Sequence, residues 1–209
     1  MDLARIAALL HPFLDRTLPP VQLQQVSTYI DLLLRWNARI NLTAIREPEE
    51  IVSRHFGESL FLARHLFPEP GTAAVRVLDI GSGAGFPGLP LKIWAPALSL
   101  TLVEANHKKA TFLREIIRAL TLTHVNVITA RAESIPPAQA DLVTLRAVER
   151  FETIFPTAVG LLAPAGRLAL LISSAQLSQL STLAPSSAWQ APIQVPQSDA
   201  RVLAISVHR

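Results

Sequence analysis

Apolar positions along the chain follow two rhythms, and the change comes near residue 74. Before it, hydrophobic residues recur every three or four positions. Val26, Tyr29, Ile30, Leu33 and Leu34 share one face, which predicts a helix over 21–37, and similar spacing predicts another over 3–14. A third is predicted over 48–66, where Pro48 stands near the first turn with Glu49 and Glu50 behind it, as a helix N-terminus favours. The proline- and glycine-rich segment 67–73 (FPEPGTA) reads as a linker. Beyond it come short apolar runs of strand length at 75–80, 99–104, 125–129, 141–145 and 167–172. Helical stretches at 106–120, 151–162 and 175–183 lie between most of them, and the tail, 193–208, offers two more strands ending in RVLAISV. Pro185, Pro192 and Pro196 mark loops in that tail. Strands alternating with helices predict a parallel sheet covered on both faces. The expected plan is a helical cap, 1–66, on an open α/β domain, 74–209, forming one compact unit.

In such sheets ligands bind beyond the carboxyl ends of the strands. The segment VRVLDIGSGAGFPG, 75–88, ends a strand in Asp79 and Ile80 and opens at once into Gly81, Gly83, Gly85 and Gly88, a turn through which a ligand can approach backbone. Gly83 to Gly88 formally matches the dinucleotide pattern GxGxxG, with Glu104 at a suitable interval for a ribose. Charge and register argue for a different cofactor. The turn starts at Gly81 with spacing GxGxG, and Asp79 at its mouth would oppose a pyrophosphate. A carboxylate there suits a ligand with a cationic amino-acid end, such as S-adenosylmethionine. Glu104 can then accept the ribose hydroxyls, Ala105 and Asn106 flank the adenine, and Arg131, Ala132 and Glu133 follow the third strand near the adenine edge. Each acid also has a plain structural reading: Asp79 as a turn cap, Glu104 paired with Lys108, Glu133 paired with Arg131. The glycine turn and two acids at successive strand ends favour the joint reading.

Composition adds bounds. A chain of 209 residues, half of them hydrophobic, suits one medium domain with a small appendage. It has no cysteine, which excludes disulfides, thiolate catalysis and cysteine-ligated metals. Six scattered histidines offer no metal-ligand spacing, so no metal is expected. No signal peptide is expected, and the longest apolar region, 158–172, is interrupted by Pro164, Gly166 and Arg167, so a cytoplasmic, monomeric protein off the membrane is the expectation. Net charge is only +3, yet 16 of the 19 basic residues are Arg, whose planar fork suits phosphate. That permits a nucleic-acid partner without demanding one.

The stretches VLDIGSGAGFPGLPL, LVEANHKKATFLRE, RAE and TLRAV, with Trp36-Asn37, Asn41-Leu42-Thr43, Arg54-His55 and Ser59-Leu60 in the cap, resemble the bacterial glucose-inhibited division protein B family. These are 16S ribosomal RNA guanine-N7 methyltransferases. The resemblance runs in order from about residue 26 to 170. It implies a class I S-adenosylmethionine-dependent methyltransferase (Rossmann-like) sheet, with cofactor contacts at Gly81, Phe86, Glu104, Ala105, Asn106, Ala132, Glu133 and Arg146, and 16S ribosomal RNA or the small subunit as partner. Asp79, Gly83 and Gly85 join that set from the residue reading. Where the family usually carries Lys-Gly after the strand 167–171, this chain has Ile172-Ser173, and Arg150 and Lys92 are the candidates to compensate.

Guanine N7 attacks with a free lone pair, so alignment and desolvation matter more than a general base. The sequence agrees, having no Ser/His/Asp constellation; His55 is a weak catalytic candidate. Arg146 is the expected catalytic side chain, orienting cofactor or guanine. Lys108, Lys109, Arg114 and Arg118 on one helix, with Arg54 from the cap, are the expected RNA contacts. The competing expectations are a same-fold methyltransferase acting on a small molecule or protein, and a non-enzymatic RNA-binding module.

Overall fold

A computed structural model describes residues 1–68, 75–146, 151–183 and 188–207. The cap begins with α1 (Leu3–Leu10), whose N-cap Asp2 accepts from the Arg5 amide, and a 3-10 turn, His11–Phe13. Helix α2 (Pro20–Asn37) follows and buries Val26, Tyr29, Ile30 and Leu33. The helix expected over 48–66 is three segments in one run: α3 (Pro48–Glu50), a π-helical stretch (Ile51–Gly57) and α4 (Glu58–Leu66). Phe67, expected to begin a linker, is instead 1% exposed, and its carbonyl accepts from Trp94 Nε1 at 2.9 Å. Residues 69–73 of that expected linker lie outside the described residues, as do Pro185 and Arg150.

The α/β part runs β1 (Arg76–Ile80), α5 (Gly88–Trp94), β2 (Ser99–Val103), α6 (His107–Ala119), β3 (Val125–Ile128), β4 (Ala140–Arg146), α7 (Phe151–Gly160), β5 (Leu162–Ser173), α8 (Ser174–Leu177), α9 (Leu180–Leu183), β6 (Ala188–Trp189), β7 (Ile193–Gln194) and β8 (Arg201–Val207). The strands form one sheet in the order β3-β2-β1-β4-β5-β8-β6, with β7 also paired to β8. The first five are parallel; β8 returns antiparallel to β5. The chain steps outward from β1 to β3 and then crosses to β4 on the other side of β1, so the reversal point lies between β1 and β4. Strand β5 starts earlier than the expected 167, because Leu162 already pairs with Ala140 before an irregularity carries the ladder to Leu142 and Arg167.

Side chains alternate across β1. Val77 joins a core that includes Ile6, Tyr29, Phe56, Leu89 and Phe112, so cap and sheet share one hydrophobic cluster. Leu78 and Ile80 point the other way into a second cluster with Phe151, Phe155 and Leu180 under α7 and α9. Asp79 falls on the cap side with Val77, an ionisable residue on an apolar face.

Candidate cofactor cleft and active site

The carboxyl ends of β1, β2 and β3 open into a cleft lined by Ile80, Gly81, Val103, Glu104, Ala105, Ala130, Arg131, Ala132, Glu133, Thr153 and Ile154. Its cavity volume, about 280 Å³, lies at the lower edge of the ~300–1,000 Å³ typical of small-molecule sites. Glu104 is the organising side chain. Its Oε2 accepts from the Gly83 amide at 2.8 Å and its Oε1 from the Asn106 amide at 2.7 Å. A carboxylate has about four lone-pair directions, so both oxygens keep acceptor capacity for a diol. Asn106 in turn caps α6, its Oδ1 accepting from the Lys108 and Lys109 amides. Asn106 therefore links the loop after β2 to the start of the basic helix.

Five expected cofactor residues line this cleft: Gly81, Glu104, Ala105, Ala132 and Glu133. Three others, Asp79, Gly85 and Phe86, lie behind it. Asp79 is 0% exposed, accepting from Thr144 Oγ1 at 2.7 Å and the Gly88 amide at 3.3 Å, so its carboxylate is enclosed beneath the turn. Alternation along β1 turns it under the turn rather than out of its mouth. Burial raises its pKa to about 6, against the hydrogen bonds from Thr144, Ser82 and Gly88 that favour the carboxylate. Gly85, at φ +92°, is likewise buried: a Cβ there would sit 2.6 Å from Leu89 Cδ1 and against the Tyr29 hydroxyl. The Phe86 ring is 6% exposed and lies between Tyr29 (5.4 Å, 10°) and His55 (4.8 Å, 26°), which turns it into the cap. Gly83 touches Glu104 through its amide. The turn is thus fixed from below, with Tyr29 Oη donating to the Ala84 carbonyl at 2.5 Å.

Sequence reasoning missed the apolar walls. Ile80 and Val103 are strand ends next to recognised residues, a signal that was available. Thr153 and Ile154 arrive on α7 from fifty residues downstream, and no local pattern marks them.

Arg146 ends β4, beside the reversal point, and its side chain is 8% exposed. Nε and Nη2 donate to Glu58 Oε2 at 3.3 and 3.0 Å, and Nη2 also reaches the Arg54 carbonyl at 2.6 Å and His55 Nδ1 at 3.1 Å. Glu58, 1% exposed at the start of α4, collects two further guanidinium groups: Arg54 Nε at 3.0 Å and Arg201 Nε at 3.5 Å on Oε1. Three arginines therefore surround one buried carboxylate. Since Arg146 donates to His55 Nδ1, the proton sits on Nε2, which donates to Thr43 Oγ1 at 2.7 Å. Burial first, then Arg146, Arg201 and Arg54, lower the His55 pKa to about 3, so the ring is neutral. Glu58 and Arg201 were not anticipated, although Arg54 and Glu58 are spaced four apart, as helical ion pairs are.

A family model described as rRNA small subunit methyltransferase G matches residues 22–198. The chain belongs to that family. Ribosomal RNA small subunit methyltransferase G of Chloroflexus aggregans is 46% identical over 152 residues, 70% of this chain and 62% of that protein, so the match spans less than two thirds of this relative's length. The protein of the same name from Xanthomonas campestris pv. campestris (strain 8004) is 39% identical over 186 residues, 87% of this chain and 84% of that one. Among solved structures, the ribosomal protein L11 methylase of Lactobacillus delbrueckii subsp. bulgaricus superposes with a TM-score of 0.61 at 15% identity, covering 75% of this chain and 80% of that one. M. jannaschii TYW2 in complex with AdoMet gives 0.59 at 16% identity, covering 81% and 78%. The fold is the class I, Rossmann-like methyltransferase fold.

Ile172 and Ser173 stand at the end of β5. Ser173 Oγ accepts from the Gln176 amide and caps α8. Its partner in register across the β5–β8 ladder is Arg201, which brings a cation to that rim. Lys92 does not compensate: it is 2% exposed, and its Nζ donates to the Pro96 and Leu98 carbonyls, 2.6 and 2.5 Å away beyond the end of α5.

Of the expected RNA contacts, Arg54 belongs to the Glu58 cluster. Arg114 Nη2 is engaged with the Val127 carbonyl and Thr129 Oγ1 at 3.2 and 2.8 Å. Lys108 and Arg118 are exposed and Lys109 is half-buried. At about 100° per residue Lys109 lies well round α6 from Arg114 and Arg118, so the four do not make one face. Among the described residues there is no group of His, Asp and Glu able to hold a metal, and no helix is long and apolar enough to cross a membrane.

Proposed function

We propose that this chain transfers a methyl group from S-adenosylmethionine to N7 of a guanosine in 16S ribosomal RNA, with residues 1–66 as a cap on the catalytic unit 74–209. The observation that carries the cofactor assignment is Glu104, braced by two amides at the lip of a cleft whose other walls are mostly apolar. A neutral adenosine fits such walls. A pyrophosphate would find Glu104 and Glu133 there with only Arg131 to answer it.

In this reading Glu104 takes the ribose hydroxyls, Ile80, Val103, Ala130, Ala132 and Ile154 enclose the base, and Glu133 lies at its edge. Asp79, Gly85, Phe86 and Asn106 hold the turn and the helix start in place. When bound, S-adenosylmethionine would supply a methyl carbon on a sulfonium: the N7–carbon bond would form as the S–CH3 bond breaks, its electron pair staying on the sulfur of the departing neutral thioether, so the positive charge would pass to the purine with no proton released. No general base is needed, and His55, neutral and bonded at both ring nitrogens, is not offered as one. Arg146 is held by four hydrogen bonds from Nε and Nη2, and in this reading its Nη1 is the group that meets a substrate. Its useful contact is guanine O6. A hydrogen bond to N7 would occupy the attacking lone pair.

Incubating the protein with labelled S-adenosylmethionine and, separately, naked 16S RNA, assembled small subunits and a metabolite extract tests this. The expected outcome is label in 7-methylguanosine after nuclease digestion of one RNA form, which also settles whether the cytoplasmic particle or free RNA is the acceptor. Label confined to a metabolite or a protein would sink the assignment.

A further inference from the structure

A second recess lies between α2 and α6, separate from the cofactor cleft. Arg35, Trp36, Arg39 and Ile40 line one side, Lys108 and Glu115 the other, of a cavity of about 310 Å³. Trp36 is fixed: its Nε1 donates to Glu115 Oε2 at 3.0 Å, and its ring meets Phe112 edge-on at 5.7 Å and 61°. The indole is only half-buried all the same. Arg35, Arg39 and Lys108 are exposed, and among the described residues none of them is in an ion pair. Three cations against one carboxylate leave the recess short of negative charge. Lys108 also stands in the first turn of α6, where the helix dipole disfavours a cation unless an anion is near.

We propose that this recess holds a ribonucleotide of the substrate strand outside the catalytic pocket, the base on Trp36 and its phosphate on Arg39 and Lys108. A fixed aromatic plane flanked by unpaired cations is the chemistry of single-stranded RNA binding. Glu115 accepts from base N–H groups, since its second oxygen is free of the indole bond. The position fits as well. Ala105 lines the cofactor cleft and Lys108 the recess, and three residues of chain span at most about 11 Å. The recess therefore lies within reach of nucleotides neighbouring a guanine at the cleft. The inference rests on the RNA substrate proposed above.

The test measures binding of a 16S fragment against potassium chloride concentration, methylation KM, and S-adenosylmethionine affinity by calorimetry, for the wild type, the double variant Arg39→Glu/Lys108→Glu, Trp36→Phe and Trp36→Leu. The double variant is expected to bind RNA at least tenfold more weakly, with a salt slope smaller by about 0.7 for one lost single-strand phosphate contact. Its cofactor affinity should stay within twofold of wild type. Trp36→Phe and Trp36→Leu both lose the Glu115 bond, so the difference between them isolates stacking; Leu should be at least fivefold weaker for RNA. Wild-type methylation with unchanged affinity, slope and KM in the double variant overturns the recess while leaving the function intact. Unchanged binding of RNA with weakened binding of assembled subunits also overturns it, in favour of a protein contact. If the wild type methylates no RNA, the functional reading itself fails and the recess with it.

Discussion

Asp79 is the residue where sequence and structure differ most usefully. Its place before the glycine turn reads as a ligand contact, yet the pleat of β1 carries the side chain inward to Thr144 and Gly88. Burial raises its pKa from 3.8 to about 6, so between those values the folded protein holds a proton that the unfolded chain releases. Stability from this group is full below about pH 4 and declines as pH rises through 6. Asp79→Asn removes that titration. Urea denaturation at pH 4.5 and 7.5 should therefore show the wild type losing stability relative to Asp79→Asn at the higher pH, by roughly 2–3 kcal/mol at the full shift. A pH-independent difference would mean the carboxyl titrates normally. Glu104, one strand over, lines the cleft, because β2 ends at Val103 and no pleat intervenes before the loop.

At the scale of elements, the turn from Gly81 to Gly88 is supported by the cap rather than by its own sequence. Gly85 leaves no room for a Cβ beside Leu89 and the Tyr29 hydroxyl, and its φ of +92° disfavours any L side chain. Gly85→Ala should cost roughly 2–4 kcal/mol from overpacking and backbone strain together, measured by chemical denaturation. A cost under about 1 kcal/mol would show that α2 yields to the added methyl. The strands of the parallel sheet were legible because each is a short apolar run bounded by turn residues. The early start of β5 and the short β6 were not, because pairing with a neighbouring strand, not local pattern, creates them. The π-helical stretch Ile51–Gly57 was equally hidden, because its periodicity looks helical and only the i→i+5 hydrogen bonding of the folded backbone distinguishes it.

For the whole molecule, one hydrophobic cluster runs from Ile6 and Tyr29 in the cap to Val77, Leu102 and Leu203 in the sheet. Residues 74–209 alone would expose the underside of that cluster, including Phe86 and Phe112. We expect that fragment to be insoluble or to lack a cooperative thermal transition by calorimetry, and a sharp transition near that of the full chain would refute a shared core. The amino-acid sequence by itself determined the helix-then-α/β order, the position of the cofactor turn and the acids at two strand ends, because local periodicity and glycine placement govern these. Only the tertiary structure decided which acid faces the cleft, that Arg146 is clamped by a glutamate 88 residues earlier in the chain, and that Arg201 reaches the same rim. Those contacts depend on strand order and on how the cap docks, and neither is written in any local window of the chain.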